Sequence, residues 1–535
     1  MSRRHPTTVW IVGPVLLALA VSAAWGAGPT PKYGRVLNAM HREDPPSLSI
    51  HEEATVSSIW GVAPCYNNLV SFDPLRWQDK PSTIVGELAE KWTWGDGGKS
   101  LAFTLRQGVR WHDGQPFTSK DVKYTFDLAR GAPGVSGFRL NPRRIWWSQI
   151  REIDTPDPST VVFRLKRPQP ALLMLLASGY SPVYPAHIPA AQLRTGCVGT
   201  GPFKLKQYRP GELIEFVRNP DYFIKGRPYL DGIRFIIIKE RSTRIAALQS
   251  GQLDVAMPQE VTKDAAEQLR RAVPGIAIVP ITQSTADNLL VNFKRAPFTD
   301  PRVRRALSLA IDRRAYVQAV RQGGAVAGGS MLPRPWGAWG LTPEELAALP
   351  GTGNPATQKA EARRLLAEAG FGPGHPLRFV VSTRSIELYL GMATYVLDQF
   401  RQLGAEATLR QIDSAVWFGV VTRGEYDVGA NVTLVSVDDP DSNFYENYVC
   451  GSPRNYSQYC NPEVDRMIDE QSQMLDQTKR RQLVVEIQKR LEADGARPIL
   501  GWNLDYYAMW PYVRNLVPHQ SIANYARLQD VWLDR

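Results

Sequence analysis

This chain has little of what catalysis or membrane residence requires. Histidine occurs seven times in 535 residues and cysteine four times. Beyond the N-terminal segment no apolar run reaches the ~18 residues a spanning helix needs, so no internal membrane span is expected. There is no GxSxG elbow, no HExxH pair, no GxxxxGK[ST] loop and no GxGxxG turn. The signatures of serine hydrolases, zinc peptidases and nucleotide-binding enzymes are therefore missing. No CxxC pair exists to anchor zinc. His41, His51, His112, His187, His375 and His519 are far apart in sequence, so shared work at one centre would require the fold to gather them. Neither a metal nor a cofactor is expected.

The N-terminus is different in kind. Arg3, Arg4 and His5 precede an apolar run from Val9 to Val21, followed by Ser22, Ala23 and Ala24. Basic start, apolar middle and small residues describe a secretory signal peptide over residues 1–27, cut between Ala23 and Ala27. A membrane anchor is the competing reading; the run is short for it, and Pro14 would kink the helix. The first cysteine is Cys65, which disfavours a lipid anchor on a new N-terminus. A soluble exported protein of this type points to the periplasm. There, an even cysteine count predicts two disulfides. Cys450 and Cys460 bracket the short loop CGSPRNYSQYC, whose closure is worth about 3 kcal/mol on the chain-entropy model. Cys65 and Cys197 are left to pair by elimination.

The formal net charge is +11, but the basic residues are mostly scattered. The densest group, Lys294, Arg295, Arg302, Arg304 and Arg305, leads into an amphipathic helix and reads as a solvated helix face, so no nucleic-acid partner is expected. The length suits two or three domains, and strand and helix signals alternate, as in α/β architecture. Leu101, Phe103 and Leu105 alternate with polar neighbours and predict a half-buried strand, continued by Val109 and Trp111. His112-Asp113-Gly114 is a turn, and Ser119 then caps a helix carrying Val122 and Phe126. Further strands are expected at Val161–Leu165 and within Tyr229–Lys239. Asp300-Pro301, Asn354-Pro355 and Asn461-Pro462 are cap-plus-first-turn pairs that open helices, the last carrying Val464, Ile468 and Leu475. Gly370 closes the second of them. GGAVAGG at 323–329 reads as a loop. The acidic run Val437-Asp438-Asp439-Pro440-Asp441-Ser442-Asn443 is open to three readings: a charged turn, a Ca²⁺ site or a ligand contact. It lacks the glycine and terminal glutamate of an EF-hand loop.

Five segments, in order, resemble the extracellular solute-binding proteins of the peptide/nickel class that feed ABC importers. They are ELAEKWTWGDGGKSLAFTLRQGVRWHDGQPFTSKDVKYTF (87–126), VGTGPFKLKQYRPGELIEFVRNPDYF (198–223), LDGIRFIIIKERSTRIAALQSGQLDVA (230–256), LLVNFKRAPFTDPRVRRALSLAIDRRAYV (289–317) and NYSQYCNPEVDRMIDEQS (455–472). The resemblance implies a two-lobed α/β periplasmic binding protein, type II-like, with an extra domain inserted in the first lobe. Lobe I is then residues 28–62, 195–281 and 503–535, the inserted domain 63–194, and lobe II 282–502. It also implies capture by hinge closure of a small organic solute, peptide-like or carboxylate-bearing. The partner is an inner-membrane ABC permease. A hinged capture device needs no second subunit, so a monomer is expected. Alternatives are a secreted hydrolase on the same scaffold and a chemoreceptor-coupled binding protein.

Peptide binders of this class carry an aspartate four residues before a proline in lobe II; here Ser436 occupies that place, with Asp438 close by. Arg384 resembles the arginine that meets a ligand carboxylate, and Trp417 a cleft aromatic. Trp336 and Trp339, in the loop RPWGAWG, together with Asn292 and Tyr66, complete the set of expected ligand contacts. With only His375 in lobe II as drawn, the nickel branch is disfavoured.

Overall fold

The computed structural model describes residues 30–349, 352–524 and 527–535. The expected signal peptide lies outside the described residues. Three main sheets organise the rest. In the first, Val36–His41 pairs in parallel with Gly232–Ile237, and Leu213–Arg218 and Phe203–Arg209 extend the sheet antiparallel. Ile233, Phe235 and Ile237 alternate inward from the middle strand, the two-residue period the sequence shows.

The second sheet is antiparallel throughout: Ala89–Gly95, Ser100–Leu105, Thr160–Leu165 and Ile150–Asp157. The helix Ser119–Arg130 packs on it through Val122 and Phe126, both fully buried. Its cap is Thr118, one residue before the expected Ser119, because Thr118 forms a reciprocal capping box with Asp121. The strand through Leu101 ends at Leu105; Val109 and Trp111 are buried but lie beyond a Gln107–Gly108 turn. This unit shares one continuous core with the first sheet. The disulfide Cys65–Cys197 closes its base, joining the chain just before the unit begins to the chain just after it ends.

The third sheet runs Ala325–Val326, Ile499–Met509, Ala277–Val291, Val428–Leu434, Arg378–Arg384 and Glu406–Ile412. Helices Pro301–Ala310, Pro355–Glu368 and Glu387–Arg401 bury apolar faces on it. Asp300, Asn354 and Asn461 each cap their helices, with proline in the first turn. Leu475 falls past the end of its helix and is exposed, because that helix stops at Gln473. Within GGAVAGG, Ala325 and Val326 pair with Asn503 and Trp502 and are strand, not loop.

Two long strands connect the lobes. Ala277–Val291 lies antiparallel to Ile499–Met509. At one end Met509 bridges to Val255, and Val255 to Ala39 of the first sheet. At the other end Thr285–Val291 pairs with Val428–Leu434 of the third. Between them the register shifts from Thr282 to Ala286, and such an irregularity bends a strand pair locally. Both disulfides are formed; Cys450–Cys460 closes a short loop of the second lobe. Among the described residues no helix is long and apolar enough to cross a membrane.

Candidate ligand-binding site

Strand ends from opposite lobes face each other. In the first lobe, Arg42 and Glu43 follow the strand Val36–His41; in the second, Arg384 ends the strand Arg378–Arg384. Both strands have a parallel neighbour, and both sets of charged residues sit at carboxyl ends, where α/β sheets commonly place ligands.

Arg384 is buried and tightly oriented. Its Nη2 and Nε donate to Ser414 Oγ at 2.8 and 3.1 Å, and its Nη1 to the Tyr389 hydroxyl at 3.2 Å. Ser414 is fixed at the first turn of the helix Ser414–Arg423, which Asp413 caps. The guanidinium lies 5.0 Å from the Tyr389 ring centre and 5.5 Å from that of Phe418. Its remaining contact crosses the cleft: Nη2 donates to Glu43 Oε1 at 3.1 Å. Glu43 also accepts from Ser57 Oγ at 2.5 Å and sits 3.5 Å from Arg42 Nε. Burial opposes its ionised form, but Arg384 and Arg42 outweigh that and hold its carboxyl down at about 2. Arg42 reaches on to Glu260 and to the Gln259 amide oxygen, each at 3.4 Å.

Beside these contacts lies a cavity of about 30 Å³, whose walls include Arg42, Gln259, Arg384, Phe418, Asn431 and Arg454. That space holds about one water, and the Arg384–Glu43 contact brings the two lobes together beside it. Gln259 also lines a much larger groove of about 820 Å³, walled by Arg241, Lys263, Arg321, Glu387 and Asp505 among others. The two spaces thus meet at one side chain. In the groove Arg241 and Glu387 approach to 3.8 Å across the lobes. Among the described residues no histidine lines either space. Among the described residues no group of three His, Cys, Asp or Glu side chains is placed to hold a metal.

Of the expected ligand contacts, Arg384 lines the cavity; the others do not. Trp417 is fully buried in a cluster with Leu290, Val420, Val421 and Tyr426. Its neighbour Phe418 faces the cavity instead, since adjacent helical residues point about 100° apart. Trp339 packs among Phe444 and Val484, with Arg480 4.5 Å from its ring centre. Trp336 is 39% exposed, and its carbonyl accepts from Gln520 at 2.6 Å. Asn292 spends its amide on the Gly424 and Tyr426 carbonyls. Tyr66 is buried against Tyr184, ring centres 5.1 Å apart. Ser436 is buried with its carbonyl held by Asn524 at 2.9 Å. Asp438 accepts from the Ala338 amide at 2.7 Å, and burial pushes its carboxyl up to about 7.

The rest of the acidic run is a helix start. Asp439 caps Pro440–Asn447 and pairs with Arg480 at 2.7 Å, while Asp441 accepts from Gln471 and Ser472 at 2.7 Å. Sequence reasoning missed Arg42, Glu43, Gln259, Phe418 and Arg454. The first two had a legible signal, charged residues directly after a buried strand; Arg454 sits one residue outside a family-like segment and had none.

The family model described as bacterial extracellular solute-binding proteins, family 5 Middle, matches residues 83–455. A probable di/tripeptide-binding protein 5 of Pseudomonas aeruginosa is 26% identical over 458 residues, 79% of this chain and 81% of the relative. Among solved structures, the periplasmic binding protein DppA of Helicobacter pylori in complex with peptide STSA is similar with a TM-score of 0.82. It is 21% identical, covering 94% of this chain and 99% of that one. AgaA of A. tumefaciens R10 in complex with agropinic acid gives 0.80 at 22% identity, covering 94% and 99%. The two lobes, the crossing strands and a family match over most of the length agree: the chain belongs to the bacterial extracellular solute-binding proteins of family 5.

Proposed function

We propose that this protein captures a carboxylate-bearing solute between its lobes in the periplasm and hands it to the membrane permease of an ABC importer. The observation that carries the ligand class is Arg384. Its guanidinium is already oriented by Ser414 and Tyr389, and the atom turned toward the opposite lobe holds a carboxylate, that of Glu43. A preorganised guanidinium in a site shut off from water is matched to the paired oxygens of a carboxylate. A solute acid would enter while the lobes are parted, take the position Glu43 holds beside Arg384, and extend past Gln259 into the groove. Closure then excludes water and strengthens the contact. No bond in the solute changes.

The test is a thermal-shift screen of the mature protein against peptides, opines, aromatic acids and neutral oligosaccharides. A ligand at a hundred times its Kd adds about 2.7 kcal/mol of stability. Acids should give the shifts, and Arg384→Ala should weaken the best of them at least about tenfold, the loss of one charge-assisted pair. Equal binding by the variant would rule out Arg384 as the anchor.

A further inference from the structure

Three buried arginines and one carboxylate, that of Glu446, gather in the interior, and only two of the three, Arg143 and Arg454, pair with it. Arg143 comes from the inserted unit, just ahead of the turn Arg144–Trp147. Glu446 lies on the helix Pro440–Asn447, Arg454 in the loop closed by Cys450–Cys460, and Arg497 just ahead of the strand Ile499–Met509. None of the four is more than 5% exposed. Glu446 pairs with Arg454 through one oxygen and lies 3.6 Å from Arg143 Nε through the other. Arg143 donates to the Glu53 carbonyl at 2.9 Å and stacks 3.3 Å from the centre of the Tyr180 ring. Arg497 donates to Thr433 Oγ1, to Asn447 Oδ1 and to the Arg454 carbonyl, all neutral acceptors. Arg143 Nε and Nη2, Arg454 Nε and Arg497 Nε have no hydrogen-bond acceptor.

Buried donors without acceptors and a buried excess of positive charge are both costly, and one group relieves both: an anion with several oxygens. Arg454 also walls the cavity that Arg384 faces, so one member of the cluster borders the proposed solute site. We propose that Arg143, Arg454 and Arg497 form a second subsite for an oxyanion, carboxylate or phosphate, of the same solute. The inference rests on the Arg384 reading and deepens it: the cargo carries two acidic groups. It also gives closure a condition. Arg143 stands on the inserted unit and its three partners on the second lobe, so closing brings two guanidiniums together over a single carboxylate. An incoming oxyanion turns that repulsion into attraction, whereas a solute with one acidic group leaves it in place.

The test uses the full mature chain, with inorganic phosphate and acetate as separate titrants by calorimetry at low chloride. One or the other should bind, and which one does distinguishes a phosphate from a carboxylate group. Binding should fall at least tenfold in Arg454→Met and in Arg143→Gln, and tighten in Glu446→Gln, which removes the competing carboxylate. Arg384→Ala should retain it, since that variant empties only the other end of the site. Binding lost in Arg384→Ala and kept in Arg454→Met would place the anion at Arg384, overturning the second subsite while leaving the first reading standing. Absence of binding by both anions, in the parent and in Glu446→Gln, would also overturn it. Arg143→Gln keeps the question decidable if Arg454→Met fails to fold.

Discussion

Glu43 and Arg384 lie 341 positions apart in the chain and meet at 3.1 Å across the cleft. Arg384 ends a strand of one lobe and Glu43 follows a strand of the other, so the pair exists only when the lobes are together. Glu43, held down at about 2, contributes its full share above the ordinary carboxylate range and loses it as pH falls through about 2. The latch is therefore intact throughout the physiological range. Glu43→Gln removes its charge and should shift the empty protein toward the open form. Small-angle scattering of the ligand-free variant should show a larger radius of gyration than the parent. Identical curves would mean that the pair does not hold the lobes closed.

Asp505 predicts a pH effect of the opposite sign. It lies on a crossing strand, buried, and accepts from the Gln259 and Tyr506 amides at 2.8 and 2.9 Å. Burial is the main cause that pushes its carboxyl up to about 6, with Glu260 adding to it. A raised acid favours folding while protonated, and that advantage is lost as pH climbs from the ordinary carboxylate range through about 6. Asp505→Asn cannot ionise. Its melting temperature relative to the parent should rise between pH 4.5 and pH 7; a constant difference would show that Asp505 does not titrate in this window.

The two disulfides should differ in worth. Cys65–Cys197 spans 132 positions and Cys450–Cys460 only 10. Chain entropy gives about 5 kcal/mol for the first and about 3 kcal/mol for the second. The paired serine variant at 65 and 197 should lose more urea resistance than the one at 450 and 460. It should also be cleaved faster by protease between residues 63 and 194, since its bridge ties the base of the inserted unit. Equal losses would point to compensation in the unfolded chain.

The parts of the fold set by local chemistry were the most legible. Asp300, Asn354 and Asn461 announce helix starts because a capping oxygen and a following proline act within a few residues. The alternation through Ile233, Phe235 and Ile237 announces a strand because one face is buried. The crossing strands were less visible: Ala277–Val291 is apolar, then polar and buried, in one run, because its polar side chains find partners on other segments: Gln283 donates to Tyr507, Asn288 to Thr433, and Asp287 accepts from Tyr316, Arg321 and Asn503. The site was hardest. Arg384, singled out through a family resemblance, does line the cavity. The side chains the fold gathers around it, Glu43, Phe418 and Arg454, come from three distant segments, and no local period encodes their meeting. Trp417 misled because an aromatic on a helix reads the same whether it faces a core or a cleft; the single-residue step to Phe418 decides it.

The crossing strands share one buried carboxylate. Asp287, fully buried beside a register shift, accepts from the Tyr316 hydroxyl, from Arg321 through two nitrogens, and from Asn503 at 3.1 Å. Asn503 belongs to the other crossing strand, so one carboxylate ties both strands together on the second-lobe side of the bend. Removing one partner of a buried ion pair costs about 3–5 kcal/mol, because a charge is left behind without water. Arg321→Met should therefore destabilise strongly in urea. Asp287→Asn in addition should restore part of the loss, because the stranded charge goes with it. A double-variant cost well below the sum of the single ones is the expected result. Simple additivity would mean that the two side chains act independently, and that Tyr316 and Asn503 alone hold Asp287 in place. Arg321 also lines the groove, so the partly rescued double variant can be titrated with ligand. If the crossing strands set the geometry of closure, its ligand affinity should remain below that of the parent even where its stability returns.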